Sequence, residues 1–351
     1  MMQTSILIYR LFDTANSIEL AKAETLLATG SHVSRLRLTR VSPKAIVFKD
    51  PPVTVLLTPQ QIPVGAKIFP AELRARIYEL GVISIIIRIN LPPEFAYQDL
   101  IDLASAIDHI PESIFLSTLE AVLAAIRPAV NGERAPVVEE DLVIYYFREW
   151  RQGWDAVPLL LGEKEPVSPE TRRETLANRF SYASDFTILG WDKAIVYEPT
   201  GSPDIPDLLE FANSQFLILR YYDHLLNQEI DKMYDAIAEA EQRAIYRRLG
   251  EYRRIRRQLL ELMADITSIT SEIENSLRVT EDVFYARVYT TYLRILRIHD
   301  WTASIDQRVE VIQRSYNLLT EEVVTSRSEL MELAVIILIT LEIVLSLLQI
   351  T

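Results

Sequence analysis

The side chains in this sequence that could do chemistry are few and scattered. Its four histidines, His32, His109, His224 and His299, are far apart. Only His224 has a supporting context, YYDHLLNQEIDKMYD, where Gln228 and Asp231 fall on its own helix face and Asp223 and Glu229 are close. One imidazole with one carboxylate makes a poor metal site, so a surface histidine among solvated acids is the favoured reading. The chain has no cysteine. Disulfides, thiolate zinc sites, iron–sulfur clusters and cysteine nucleophiles are thereby excluded, and a reducing compartment suits the chain. Its 9 glycines form neither GxGxxG nor GxxxxGK[ST], and HExxH, GxSxG and the EF-hand loop do not occur. Tyr145, Tyr146, Tyr221 and Tyr222 read as packing aromatics. The expectation is a protein without catalytic, cofactor-binding or metal-binding residues, and not an enzyme.

Two charged features remain. The stretch RAIYRRLGEYRRIRR carries Arg243, Arg247, Arg248, Arg253, Arg254, Arg256 and Arg257 in a chain of net charge -13. Arginines at this density suit RNA, a ribosome or anionic lipid headgroups. The plainer alternative is a solvated helix face paired with acids such as Glu239 and Glu241. The second feature is Glu342, the one charge in LAVIILITLEIVLSLL. Extended to Thr351, that tail would be a helix of roughly 28 Å, against a bilayer core of about 30 Å. A carboxylate there is costly unless protonated or bonded, and so is expected to face neighbouring copies of the chain. Glu332 lies roughly 15 Å up the axis, near the expected bilayer surface.

The elements that would carry these groups fall into two halves. All 17 prolines precede residue 207, and the remainder can be helical without interruption. The first half alternates strand and helix. Ser5–Leu11, Arg35–Val41, Ala45–Lys49, Val53–Leu57, Val82–Ile89 and Leu142–Arg148 read as strands, with VISIIIRI central. Ser17–Ala28, Tyr97–His109 and Glu112–Ile126 read as helices, the last two parted by Pro111. Residues 162–172 read as a loop, and Phe186–Leu189 with Ala194–Tyr197 as a hairpin about Gly190. The fold class expected is α+β: a mixed sheet domain, then a long-helix, coiled-coil-like bundle, then a C-terminal hydrophobic helix. The corresponding domains are 1–200, 205–330 and 331–351.

Alternating four- and three-residue spacings mark the second half. Ile305, Val309, Ile312, Tyr316, Leu319 and Val323 are one such seam, repeated at 226–244 and 255–273. A seam of this kind serves an intramolecular bundle and an intermolecular coiled coil equally well.

The last part of the chain, IDQRVEVIQRSYNLLTEEV followed by SRSELMELAVIILITLEIVLSLL, resembles the C-terminus of the "required for meiotic nuclear division" family of membrane-anchored proteins. Asp306, Arg308 and Val309, then Leu318 and Leu319, match that family's helix, and Glu332 with Ile336–Glu342 matches its apolar run. Leu333 stands where the family has Trp, Gln313 where it has Asn and Tyr316 where it has Leu. The resemblance implies a non-catalytic protein forming large homo-oligomers at an inner membrane.

Together these readings give a membrane-anchored, homo-oligomeric scaffold on the cytoplasmic face of a prokaryotic inner membrane, tethered by its C-terminus. Its partners would be itself and lipid, with no cofactor. Two alternatives stand beside it. One is a soluble enzyme or ligand-binding head dimerised by a bundle, which would need a convergent polar pocket with a perturbed acid or base. The other is an RNA- or ribosome-contacting tether using the arginine cluster.

Overall fold

Strand β1 (Thr4–Asp13) is apolar on both faces because it runs down the middle of a sheet covered on both sides. The structure, a computed structural model, describes residues 4–28, 33–35, 51–92, 94–136, 138–182, 184–241, 245–276 and 283–350. The strand expected at 45–49, and 36–41 of the one before it, lie outside these.

After β1 come the short β2 (Ser17–Ile18), helix α1 (Leu20–Leu27), β3 (Val33–Arg35), β4 (Val53–Leu56), β5 (Gln60–Val64), β6 (Lys67–Ile77) and β7 (Val82–Leu91). Helices α2 (Tyr97–Ile107) and α3 (Glu112–Ile126) lead to β8 (Val130–Asn131) and β9 (Glu139–Phe147). Then follow α4 (Ala156–Leu161), α5 (Pro169–Thr175), β10 (Arg179–Phe180), β11 (Phe186–Leu189) and β12 (Lys193–Tyr197). Four long helices complete the chain: α6 (Asp204–Glu241), α7 (Ile245–Ser276), α8 (Val283–Ile295) and α9 (Ile298–Ile350).

The main sheet has the order β10-β11-β12-β9-β1-β7-β6-β4-β3, with β5 also on β6. It is antiparallel except where β12 joins β9 in parallel. VISIIIRI sits inside the sheet as β7, between β1 and β6. The β6–β7 turn depends on Gly81, at φ +80°, where an added Cβ would come within 1.9 Å of the Ala15 carbonyl oxygen. Thr14 closes the same corner, its amide and hydroxyl both donating to the Gly81 carbonyl.

The two faces of the sheet differ in chemistry. Ile6, Ile8 and Phe12 of β1 and Ile83, Ile85, Ile87 and Ile89 of β7 join side chains from α1 to α4 in one apolar core. The opposite face carries polar groups at alternate positions, and the first half of α6 covers it. Residues 204–219 of α6 are all buried, as a helix enclosed on all sides must be. Phe211 meets the Tyr78 ring and stacks on Tyr289 of α8, while Asn213 donates to the Tyr292 hydroxyl at 2.7 Å.

Two expectations shift in detail. The segment 162–172 is a loop only to Ser168, whose side chain accepts from the Thr171 amide and caps α5, with Pro169 in the first turn. The helix expected from Ser17 starts at Leu20, because Ser17 and Ile18 pair with Asn131 and Val130.

The chain divides into two compact units, 1–221 with 275–299, and 222–274 with 300–351. The first is the mixed sheet domain with its covering helices. The second is a bundle of long helices. In the bundle Leu226 and Met233 of α6, Tyr252, Ile255, Leu259 and Ile266 of α7, and Ile305, Ile312 and Leu319 of α9 are buried. Arg308 of α9 donates to Asn227 at 2.7 Å and pairs with Asp223, which also accepts from Ser304. α9 runs without a break from the seam into the hydrophobic segment.

Candidate functional site

The polar face of the sheet is built by strand alternation. Glu72, Arg74 and Arg76 lie on one side of β6, Ser84, Ile86, Arg88 and Asn90 on the same side of β7, and Ser5, Leu7 and Tyr9 on that of β1. Arg76 is buried and uses all three nitrogens. Its Nε donates to Thr54 Oγ1 at 3.2 Å, Nη2 to Asp207 at 2.9 Å, and Nη1 to Glu210. Both acids come from the first turns of α6 and are themselves buried.

One arginine faces two buried carboxyls, which crowds their charges. Burial pushes Glu210 up to about 7 against the pull of Arg76, and the neighbouring Asp207 charge raises it further. Burial raises Asp207 as well, opposed by Arg76. Burial alone would lower Arg76, but the two carboxylates outweigh it and raise the guanidinium well above its ordinary value. The Ser84 and Tyr78 hydroxyls lie beside Glu210 and oppose part of its rise. Further along α6, Arg220 pairs with Glu140 of β9, and burial pushes that acid to about 7 as well, against Arg220.

These shifts set a pH dependence. The folded chain holds the protons of Glu140 and Glu210 more tightly than the unfolded chain, so between about pH 4.5 and 7 it binds more of them. Stability therefore falls as pH rises through that window, by on the order of 2–3 kcal/mol per acid. The urea midpoint of the sheet unit is expected to be higher at pH 5 than at pH 8. Glu140→Gln with Glu210→Gln should flatten the difference.

Beside this buried cluster opens a small cleft of about 80 Å³. Ser5, Leu7, Tyr9, Arg74, Arg76, Ile86, Arg88, Tyr146, Gly201, Pro203, Pro206 and Asp207 line it, all from the first unit. Arg74 reaches Glu72 at 3.2 Å, while its buried Nε has no acceptor among the described residues. Arg88 donates to Asn90 Oδ1 at 3.0 Å and Ser5 Oγ at 3.2 Å, both neutral. Tyr146 donates its hydroxyl to the Ser202 carbonyl at 2.8 Å.

Of the cleft residues only Tyr146 was singled out from the sequence, as a packing aromatic. The oligomer, membrane and anionic-partner candidates belong to the helical unit. Ile305, Ile312 and Leu319 are buried, Val309 and Tyr316 half-buried, and the Val323 side chain is outside the described residues. Arg253, Arg254 and Arg257 are exposed and Arg256 half-buried. Arg254 pairs with Glu251 at 2.9 Å and Arg257 with Glu261 at 3.8 Å. Arg247 and Arg248 lie on α7 with side chains outside the described residues, as is the whole of Arg243. His224 is exposed and bonded to Gln228 at 2.8 Å. Among the described residues no group of three or more His, Cys, Asp or Glu is placed to hold a metal ion.

Glu332 and Glu342 are exposed on α9. Around them residues 331–343 are helical and exposed throughout, and the large aliphatic side chains from Leu333 to Ile343 are each 51–64% accessible. Among the described residues no single helix is long and apolar enough to cross a membrane. In α9 the described side chains stop at Ile343, short of the end of the apolar run. The bent pair formed by α2 and α3, extended to Ala129, has the length and composition together, with 67° between its arms. Its apolar side chains, among them Leu100, Leu103, Phe115 and Leu119, belong to the core of the sheet domain.

Residues 3–204, more than half of the chain, match the family described as the N-terminal domain of the uncharacterized protein MJ0711. The chain belongs to this family. A relative, the uncharacterized protein MJ0711 of Methanocaldococcus jannaschii, is 24% identical over 291 residues, which are 80% of this chain and 83% of that protein. No solved structure matches the chain. Membership of the MJ0711 family overturns the resemblance to the "required for meiotic nuclear division" family drawn from residues 306–348. That likeness rested on an apolar helix with spaced glutamates, a pattern that aliphatic composition and helical periodicity reach independently. The matched region is the sheet domain, whose strand pattern the tail does not share.

Proposed function

We propose that the protein is a non-catalytic, membrane-anchored scaffold that associates with itself, its sheet domain held on the cytoplasmic face of the membrane by the helical bundle. The observation that carries this reading is the apolar segment of α9. Val335, Ile336, Ile337, Leu338 and Ile339 are consecutive and exposed. At 100° per residue they cover the whole circumference of the helix, not a stripe. A stripe suits a coiled-coil partner. An all-round apolar surface suits lipid, with Glu342 turned toward a second copy or protonated.

The seam at Ile305, Ile312 and Leu319 is already buried within the bundle of one chain, so self-association falls to the segment beyond it. The arginine cluster supports the same orientation. α6 and α9 lie side by side and run in the same sense, since Asp223 faces Ser304 and Arg308 while Asn227 faces Arg308. α6 ends 18 residues past Asp223, roughly 27 Å along, level with about Val324 of α9. α7 begins after that end, and Arg253–Arg257 follow 8–12 residues, roughly 12–18 Å, into it. Anionic headgroups are the partner proposed for them.

Flotation with liposomes tests the reading. The full chain is expected to float with the vesicles, and a chain ending at Ser328 to remain at the bottom of the gradient. A full chain that stays in the aqueous fraction as a monomer would overturn it.

A further inference from the structure

The cleft in the sheet domain is lined by three arginines whose partners differ. Arg76 is fully paired, with two buried acids and Thr54 taking its three nitrogens. Arg74 pairs with the half-exposed Glu72 at 3.2 Å, where solvent screens the pair, and acts on Asp207 without a direct bond. Its Nε is buried in the structure with no acceptor among the described residues. A buried N–H left unbonded is uncommon in folded proteins and marks a place where an acceptor belongs. Arg88, opposite Glu72 and diagonal to Arg74 on the neighbouring strand, bonds the neutral Asn90 and Ser5 among the described residues. Its guanidinium keeps its charge and further N–H groups.

The walls suit a ligand more than solvent alone. Leu7 and Ile86 form an apolar floor. Pro203 and Pro206 stiffen the approach to α6. Gly201 leaves space at the rim, where an added Cβ would press on Arg148 at 3.1 Å. The volume accommodates one small charged group, with the remainder of a larger molecule left outside.

We infer that this cleft binds the anionic head, carboxylate or phosphate, of a small molecule, with Arg88 and Arg74 as its two cationic donors. Planar guanidinium forks on adjacent strands match the paired oxygens of such a head. The Arg76 cluster acts as support: it fixes the strand and the start of α6, and Arg76 and Asp207 form part of the wall.

Titration calorimetry on the full chain in detergent, with inorganic phosphate and separately with acetate, tests this. Saturable binding of at least one anion is expected, and which of the two binds identifies the head. Arg88→Gln should weaken it by about tenfold or more, as the loss of a charged hydrogen bond predicts. Arg88→Lys keeps the charge and the fold but loses the fork, and should weaken it severalfold. Arg127→Gln, at an exposed arginine paired with Glu133, should leave it unchanged. No saturable binding of either anion overturns the inference. So does binding that is equal in the wild type, Arg88→Lys and Arg88→Gln, which would mark an adventitious ion only.

Discussion

Arg76→Met is expected to destabilise the sheet unit by about 3–5 kcal/mol, enough to leave a marginal domain unfolded. The methionine fills much of the same volume, so the loss does not come from a cavity. It comes from Asp207 and Glu210, both buried, which would face each other without a counter-charge. The same logic predicts a rescue. Arg76→Met combined with Asp207→Leu and Glu210→Leu removes all three charges, and most of the lost stability should return, because well-packed apolar groups often match or exceed a buried ion cluster. Urea denaturation followed by circular dichroism reads both variants. If the single variant is as stable as the wild type, the cluster is not the buried charge network described here. If the triple variant is no better than the single one, geometry and not charge is what Arg76 supplies. The single variant should also gain stability at acid pH, where its orphaned carboxylates can take up protons.

The second large effect concerns α9. Ile336→Lys with Ile339→Lys places two ammonium groups a turn apart in the exposed apolar segment. Each lysine near the centre of a bilayer costs about 2.5–3.5 kcal/mol, so the pair should cost roughly 5–7 kcal/mol and abolish stable insertion. Membrane fractionation should move the protein from the pellet to the supernatant. The sheet unit should keep its circular dichroism and its unfolding transition, since these positions contribute nothing to its core. Retention of the double variant in the membrane fraction would require another attachment and would remove α9 from that role. Glu342→Leu should act differently, altering the size of the detergent-extracted assembly while leaving the protein in the pellet.

The architecture was largely legible because its elements carry strong local signals. β1, β7 and β9 are apolar runs bounded by turn residues. Pro111 parts α2 from α3, and Gly190 turns β11 into β12. Heptad spacing without proline announced the long helices. Where local signals conflicted, the reading was less complete. Ser168-Pro169-Glu170 is a helix start embedded in a segment whose composition suggests a loop. β6 contains Pro70 and alternates charged with apolar residues, which weakens the pattern of a central strand.

The cleft was not legible, for a reason that lies in tertiary structure. Glu72, Arg74, Arg76 and Arg88 occupy alternate strand positions, which ordinarily means a face turned to water. Only the arrival of α6, more than a hundred residues later in the chain, converts that face into an interior. The signal that remained was inside the helix: Asp207 and Glu210, three residues apart at the head of the uncharged run that completes DLLEFANSQFLIL. Two acids on one turn of a buried helix call for a cation, and the arginines of β6 were the candidates.

The start of α6 at Asp204 also bears on how this family is to be handled at the bench. The match to the family's N-terminal domain ends at residue 204, where that helix begins. A fragment cut at this limit would lose Phe211 from against Tyr78 and both acids from against Arg76. What is conventionally taken for a domain would then be an open-faced sheet, prone to precipitate. A soluble fragment has to keep the cover helix, and a chain trimmed where the N-terminal-domain match stops is expected to fail in expression for that reason alone.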